Sequence, residues 1–371
     1  MEIRSICLKD FRSWNDLLLE FGHVNVLVGP NAQGKSNILE AIYLLGTGKS
    51  FRRSKDSEMI SVGCSAASIK GLVVHDSIKR TLQVKLGRRR RKTAVIDDKN
   101  LRRLSELLQY IQVVVFAPEN LSLVQGGPRE RRNYLDVQVA RRNPLYLDTL
   151  IDYGRVCAQR SAVLKEYYGM KDVKLLLEPL TEQLINMGTT ILRGRLSILP
   201  ELEMVTGEIH RKITGGSETL ALSYESNLNL DRLFDRSDLI DMMRHKLQES
   251  VLAELSQCRN LIGPHRDDLK ITLDGFDVRR FGSQGQKRSV AVSLKMAEVE
   301  LVWRSAGFYP VLLMDDVFSE LDLDRSEGII NLMNQGPQII LTTTNAEKIP
   351  GNLGDNAYRF MVSEGEVLCE R

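Results

Sequence analysis

The 371 residues contain no uninterrupted apolar run that approaches the thickness of a bilayer, so a membrane-spanning helix is not expected. A basic-then-apolar leader is also missing. "MEIRSICLKDFRSW" alternates apolar and polar residues as a strand does, and the expectation is a soluble, cytoplasmic protein. Cysteine is scarce: Cys7, Cys64, Cys157, Cys258 and Cys369 are odd in number, scattered and without a C-x-x-C pair. That pattern disfavours a disulfide framework or a zinc site and fits reduced core thiols. Excess charge is small, since 51 Lys+Arg against 48 Asp+Glu leaves +3, and any attraction to nucleic acid has to come from local patches. Internal repeats and low-complexity stretches are lacking too. What remains is a globular chain, 43% hydrophobic, with enough residues for one large domain or two smaller ones.

The richest stretch is "NVLVGPNAQGKSNILEAI", from Asn25 to Ile42. "VNVLV" reads as a buried strand and "SNILEAIYLL" has apolar residues at helical spacing, so "GPNAQGKS" joins a strand to a helix. In G-x-x-x-x-G-K-[ST] the two glycines, here Gly29 and Gly34, let the backbone curl so that successive N–H groups and the helix N-terminus face one anion. Pro30, Asn31, Ala32 and Gln33 complete the loop and Asn37 follows it. Lys35 is placed to reach the β/γ-phosphates of a nucleoside triphosphate and Ser36 to offer a hydroxyl to Mg²⁺.

Residues 1–127 are strand-rich after that helix, with "ASIKGLVVH", "KRTLQVKLG", "KTAVIDD" and "IQVVVFAP" separated by charged turns. From 128 to 255 the texture becomes helical, interrupted by Pro144, Pro179 and Pro200. Residues 256–371 return to α/β: the hairpin-like "DLKITLDGFDV", a helix from about Gln286 to Arg304, the strand "PVLLMD", a helix near 324–333, the strand "QIILTTT" and a final hairpin. The expected fold is α/β, one domain built from both chain ends (1–127 and 256–371) with a mainly helical arm (128–255) inserted. "VLLMDDVFSELD" is an apolar strand ending in two acids. Beside a phosphate loop, Asp315 is expected to hold Mg²⁺ and Asp316 to orient the attacking water. "FGSQGQKRS" puts Ser283, Gly285 and Gln286 at the start of a periodic helix, where they can either bind an anion or simply cap the helix.

In order, "GPNAQGKS", "SQGQ", "LLMDD" and "SELD" resemble the Walker A loop, signature motif, Walker B strand and D-loop of ABC-type ATPases, with Gly282 replacing the signature leucine and Gln284 its first glycine. The stretch between Lys35 and Ser283 is far longer than in a transporter ATPase. The layout is similar to SMC-type DNA-maintenance heads, with a short arm replacing their long coiled coil. "LKDFRSW", "GPNAQGKSNILEAIYLLGTGKSFR", "VVFAPENLSLVQGGPRERRNYLD", "GPHRDDL" and "FGSQGQKRS" together resemble the bacterial recombination-mediator family of such ATPases along essentially the whole chain. The resemblance implies ATP and Mg²⁺ as cofactors and an ATP-dependent homodimer in which Ser283, Gly285 and Gln286 close over the partner's ATP. It further implies binding to double-stranded DNA and to single-strand/double-strand junctions, partnership with RecR and functionally with RecO and RecA, and a role in recombinational repair and replication restart.

The resemblance also brings in Arg12, where related heads use an arginine near the phosphates, and Gln112, a possible Mg²⁺-sensing glutamine; a surface arginine and a strand-edge glutamine are the alternative readings. None of His23, His75, His210, His245 and His265 follows "IILTTT", where transporter ATPases carry a switch histidine, and Asp316 stands where glutamate is usual. Both features imply slow turnover. For DNA, the run Arg88, Arg89, Arg90 and Arg91 and the pair Arg131 and Arg132 are the basic patches, each also readable as a solvated surface. Neither is interleaved with aromatics, so phosphate contact is expected and base stacking is not. "GPHRDDL" suggests no chemistry of its own. A P-loop nucleotide kinase or a transporter-type ATPase subunit is the alternative class. A GTP-binding module is disfavoured because an N-K-x-D or T-K-x-D motif is lacking.

Overall fold

The computed structural model describes residues 1–167, 172–228, 230, 235–317, 336–345 and 357–370. The "SELD" segment and the helix expected near 324–333 lie outside the described residues. Along the chain run β1 (Glu2–Phe11), β2 (Trp14–Glu20), β3 (Val24–Val28), α1 (Lys35–Thr47), β4 (Ala66–His75), β5 (Ile78–Gly87), β6 (Thr93–Ile96), β7 (Lys99–Asn100) and β8 (Val113–Phe116). Next come α2 (Ser122–Gln125), α3 (Pro128–Arg142), α4 (Leu145–Glu166), α5 (Val173–Ile213), β9 (Leu220–Glu225), α6 (Arg236–Gln257), β10 (Asp268–Leu273), β11 (Phe276–Asp277), α7 (Val278–Phe281) and α8 (Gln284–Ala306). The described strands end with β12 (Val311–Asp315), β13 (Ile339–Thr343), β14 (Tyr358–Ser363) and β15 (Glu366–Glu370).

These elements form two compact units: Met1–Leu121 with Ile209–Gly216 and Arg288–Arg371, and Ser122–Glu208 with Ser217–Lys287. The bounds differ from the expected 128–255 arm. The unforeseen strand β9 pairs antiparallel with β10, so the β10/β11 hairpin and the stretch to Lys287 belong to the second unit.

The first unit holds two six-stranded sheets, β2-β1-β4-β5-β6-β7, all antiparallel, and β15-β14-β3-β13-β12-β8, parallel except for β15. "VNVLV", "VLLMD" and "IILTT" are continuous apolar runs because β3, β12 and β13 are covered on both faces. On one face Ile38, Leu39, Ile42 and Leu45 of α1 pack with Val113, Leu313 and Ile340 and with Ile6, Leu8 and Ile69 of the antiparallel sheet. On the other, Val292, Met296 and Val299 of α8 meet Val26, Val114, Leu312 and Leu341. Each such side chain contributes about 1.5–3 kcal/mol by leaving water, so α1 is held on its sheet by its whole apolar face.

The second unit joins α3 to α6 with the three-stranded sheet β11-β10-β9. Pro144 interrupts the helical stretch as expected, standing as the N-cap of α4, but Pro179 and Pro200 do not, because both lie inside the single helix α5. A helix proline removes a hydrogen bond, and here Leu177, Leu184, Ile198 and Leu202, buried on either side, keep the helix running. Several buried charges of this unit are paired. Arg160 bonds Glu254 at 2.7 Å and Asn260 at 2.7 Å, and Arg195 grips Asp136 at 2.8 and 3.0 Å and donates to the Pro264 carbonyl at 2.7 Å. "GPHRDDL" closes this network: the Tyr224 hydroxyl donates to Asp267 at 2.8 Å, and His265 Nδ1 lies 2.7 Å from the Tyr153 hydroxyl.

Burial pushes Asp267 up to about 6, while burial and the charge of Arg266 push His265 down to about 4. Between about pH 4 and 6 folded Asp267 keeps a proton that the unfolded chain has lost, so its contribution to stability falls as pH rises. His265 has the opposite sign: between about pH 4 and 6.5 the unfolded chain binds the proton that the folded chain lacks, so its contribution rises with pH. Asp267→Asn removes the first slope, worth on the order of 2–3 kcal/mol, and leaves the second. Urea midpoints measured across this window should therefore climb more steeply with pH in the variant than in the wild type; parallel curves would contradict the assignment.

Candidate nucleotide-binding site

Strands β3, β13 and β12 are parallel, with Val28 opposite Thr343 and Thr342 opposite Asp315, so their carboxyl ends lie side by side. At those ends opens a cavity of about 240 Å³, lined by Asn31 to Asn37, Arg52, Pro118, Asp315, Asp316, Thr342 and Thr344. This is the place where open α/β sheets bind ligands. The loop has to be glycine at two positions. A Cβ on Gly29 would stand 2.1 Å from the Val362 carbonyl oxygen, and Gly34 has φ +94° with Ser13 Oγ 2.7 Å from where its Cβ would be. Three tethers fix the loop: Trp14 Nε1 donates to the Gly34 carbonyl at 3.2 Å, Asn37 to Ser13 Oγ at 3.1 Å, and the Glu364 N–H to Gln33 at 2.8 Å.

Lys35 starts α1 and its ammonium donates to the carbonyls of Gly29 and Pro30, both at 2.7 Å. Burial lowers its pKa, and the nearby carboxylates of Asp316 and Asp315 oppose that shift. Asp315 accepts the Ser36 hydroxyl at 2.6 Å, the Thr342 hydroxyl at 2.9 Å and Arg52 Nη2 at 3.3 Å. A hydroxyl and a carboxylate converging in this way are hard oxygen donors of the kind that hold Mg²⁺ together with phosphate oxygens, so the residues fit that ion. Asp316 has φ 50°, in the left-handed region, with its N–H on Thr342 Oγ1 at 3.0 Å. Such backbone strain in a residue other than glycine is concentrated at functional sites.

Other expected residues are elsewhere. Gln112 precedes β8, and Val113 lies opposite Val311, the first residue of β12, which puts Gln112 at the amino ends of the strands, roughly 16 Å of strand away from Asp315. Its side chain is buried and donates to the Leu108 carbonyl, so it does not reach the cavity. Arg12 does not line the cavity either. Its guanidinium is taken by fully buried Glu40, at 2.8 Å through both Nε and Nη2, and by the Glu58 carbonyl at 2.9 Å. Arg52 does line it, bonding Asn37 at 3.2 Å as well as Asp315. The available signal was "GTGKSFR", in which Gly48, left-handed at φ 68°, ends α1 and turns the chain toward Arg52.

Ser283, Gly285 and Gln286 belong to the second unit. The Ser283 N–H donates to Gln286 Oε1 at 2.8 Å and the Gln286 N–H to Ser283 Oγ at 3.1 Å, a reciprocal capping box at the start of α8. Gln286 Nε2 also donates to Glu218 at 3.0 Å.

Three of the expected DNA contacts, Arg88, Arg131 and Arg132, have partners within the chain. Arg88 donates to the carbonyls of Cys64, Ser57 and Ser61 at 2.7, 3.3 and 3.2 Å and so pins the 57–64 loop, leaving Arg89, Arg90 and Arg91 exposed. Arg131 is buried in a two-pronged pair with Asp268 at 2.8 and 2.7 Å. Arg132 is half-buried and donates to the Asp267 carbonyl at 2.6 Å.

The RecF/RecN/SMC N terminal domain family matches residues 2–367. Among curated relatives, the DNA replication and repair protein RecF of an Exiguobacterium species is 38% identical over 371 residues, covering 100% of both chains. That of Halothermothrix orenii is 40% identical over 349 residues, covering 93% of this chain and 92% of its own. The chain belongs to the RecF family. A solved structure titled as the recombination mediator protein RecF-ATP in the RecFOR pathway superposes with TM-score 0.92 at 31% identity, covering 100% of this chain and 97% of the other. The Pyrococcus furiosus Smc head superposes at 0.55 with 17% identity, covering 99% of this chain and 96% of the other, a likeness of fold. The architecture is therefore the mixed α/β of RecF and SMC ATPase heads.

Gly29→Ala should force the loop off β14, since the obstacle is a backbone carbonyl that cannot rotate away. Overpacking of this kind costs about 1–3 kcal/mol, read as a lower urea midpoint together with weakened nucleotide binding. Wild-type values for both would show that the loop is not built as described.

Proposed function

We propose that the protein is an ATP-dependent DNA-binding protein of recombinational repair and replication restart, a homodimeric clamp on double-stranded DNA near gaps that slow ATP hydrolysis releases. The observation that carries this reading is the convergence of the Gly29–Ser36 loop, Asp315 and Asp316 on one cavity. The family's names and the RecF-ATP structures support it. In this reading Lys35 exchanges its loop carbonyls for the β/γ-phosphates. Ser36 and Asp315 hold Mg²⁺, which when bound neutralises charge on the phosphates. Arg52 leaves Asp315 as the phosphates enter, and Asp316 orients the attacking water and takes its proton. Ser283 and the first amides of α8 meet the nucleotide of the second copy, an anion at a helix N-terminus. Exposed Arg89, Arg90 and Arg91 contact DNA phosphates without reading sequence. Cooperation with RecR, and functionally with RecO and RecA, completes the proposal.

Lys35→Met removes the ammonium and keeps the loop, so ATP affinity should drop about 10- to 100-fold in a direct titration. Retained tight binding would remove the site assignment.

Ser283→Arg and Asp316→Asn separate the clamp from simple nucleotide binding. Ser283→Arg adds bulk and positive charge at the capping box, so ATP should bind each monomer while dimers fail to form on sizing with ATP, Mg²⁺ and duplex DNA. Asp316→Asn keeps Asp315 and loses the water-orienting carboxylate, so dimers should form and outlive wild-type dimers after free ATP is withdrawn. Normal dimerisation of Ser283→Arg would reduce "SQGQ" to a helix cap and overturn the clamp.

A further inference from the structure

In the second unit, β11 and α7 form the elbow "FDVRRF", from Phe276 to Phe281, which none of the steps above uses. Two of its features are unusual for a surface turn. Phe276 is 67% exposed and Phe281 71% exposed, and their rings meet edge to face at 6.3 Å, presenting two aromatic faces to solvent. Beside them Arg279 and Arg280, both exposed, line a cavity of about 460 Å³ together with Arg131, Lys270, Glu225, Asp268 and Asp277.

The cavity lining carries four cations, Arg131, Lys270, Arg279 and Arg280, against three acids, an excess of one positive charge. Asp268 is neutralised by Arg131 at 2.7 Å and Glu225 by Lys270 at 3.4 Å, and Asp277 accepts the Arg280 N–H at 3.1 Å as the cap of α7. Among the described residues neither the Arg279 nor the Arg280 guanidinium has a carboxylate partner. Exposed guanidiniums without a bonded carboxylate next to exposed aromatic rings are the pairing that single-stranded nucleic acid requires: cations for the backbone and π-faces for bases not stacked on each other. A duplex would use the cations only, because its bases are turned inward. A protein partner would need carboxylates placed beside an apolar patch to match both features, whereas an unpaired strand carries a phosphate and a base on every nucleotide.

We propose that the "FDVRRF" elbow and its cavity bind an unpaired nucleic-acid strand, with Phe276 and Phe281 stacking bases and Arg279 and Arg280 contacting phosphates. The proposal rests on the reading that the chain acts on DNA and adds a site for the unpaired strand, separate from the duplex contacts at Arg89 to Arg91.

Binding of the full-length protein to a fluorescent oligo-dT strand and to a duplex of equal length, followed by anisotropy in the presence of ATP and Mg²⁺, tests it. The double variant Phe276→Ala, Phe281→Ala should bind the strand at least about 5-fold more weakly, the low end for loss of one stacked base, and the duplex as well as wild type. Phe276→Tyr with Phe281→Tyr keeps the rings and should keep wild-type strand affinity. Arg279→Ala with Arg280→Ala should flatten the log-log salt dependence of strand binding by about 0.7 for each phosphate no longer neutralised. Unchanged strand affinity in the double alanine variant overturns the proposal. So does loss of self-association with strand binding intact, which would make the elbow a surface between copies of this chain. If wild type binds duplex and no strand, the elbow proposal alone fails; if it binds neither, the DNA reading fails with it.

Discussion

The carboxylate of Asp315 is the point on which the nucleotide cavity depends. It accepts bonds from Ser36 on α1, Thr342 on β13 and Arg52 in the segment after α1, so groups far apart in the chain are held by one side chain. That meeting is possible only because β12, β13 and β3 run parallel in register, with Asp315 opposite Thr342 and Val28 opposite Thr343. A parallel pair needs a long crossover rather than a tight turn, which is why the phosphate loop from one chain end and the acids from the other have to be brought together by a doubly covered sheet. The same carboxylate, with Asp316, favours the charged form of Lys35 against the cost of its burial.

The parts of this arrangement visible in sequence are those whose chemistry is local. A phosphate loop needs fixed spacing between two glycines and a lysine, a doubly covered strand needs a continuous apolar run, and a capping box needs Ser and Gln three apart; "GPNAQGKS", "VLLMD" and "SQGQ" meet those needs within a few residues each. Ser283 shows the limit: both the anion-binding and the capping reading are written in the same four residues, and the structure supplies the capping bonds at 2.8 and 3.1 Å. Strand β9 was hidden because Leu220 and Leu222 alternate over too short a run to stand out between long helices. Pro179 and Pro200 look like helix breaks until the buried leucines on either side are known.

Residues misplaced by the sequence were those whose partner is distant. Arg12 is turned from the cavity by Glu40 and Gln112 is held at the far end of its strand; no spacing rule links Arg12 to Glu40 or Gln112 to Asp315. Arg52 carries no motif of its own, and only the fold brings it to Asp315.

The arginines carry this further. A guanidinium cannot be deprotonated in a protein, so each one, wherever it lies, must find counter-charge, carbonyls or water. Arg131 found Asp268 and Arg195 found Asp136, and each of these pairs tightens its own unit instead of adding to the surface field, while Arg88, bonded to the carbonyls of Ser57, Ile60, Ser61 and Cys64, keeps its charge at the surface. A net charge of +3 therefore understates how unevenly the surface is charged. Pairing removes cations and acids together in the interior, and the cations that stay exposed include short runs such as Arg89 to Arg91 and Arg279 to Arg280. A polyanion responds to those runs over about a Debye length, roughly 8–10 Å at physiological salt, and not to the sum over the chain. A nearly neutral protein can for that reason present basic sites, and their location follows from which arginines the fold has left without a carboxylate.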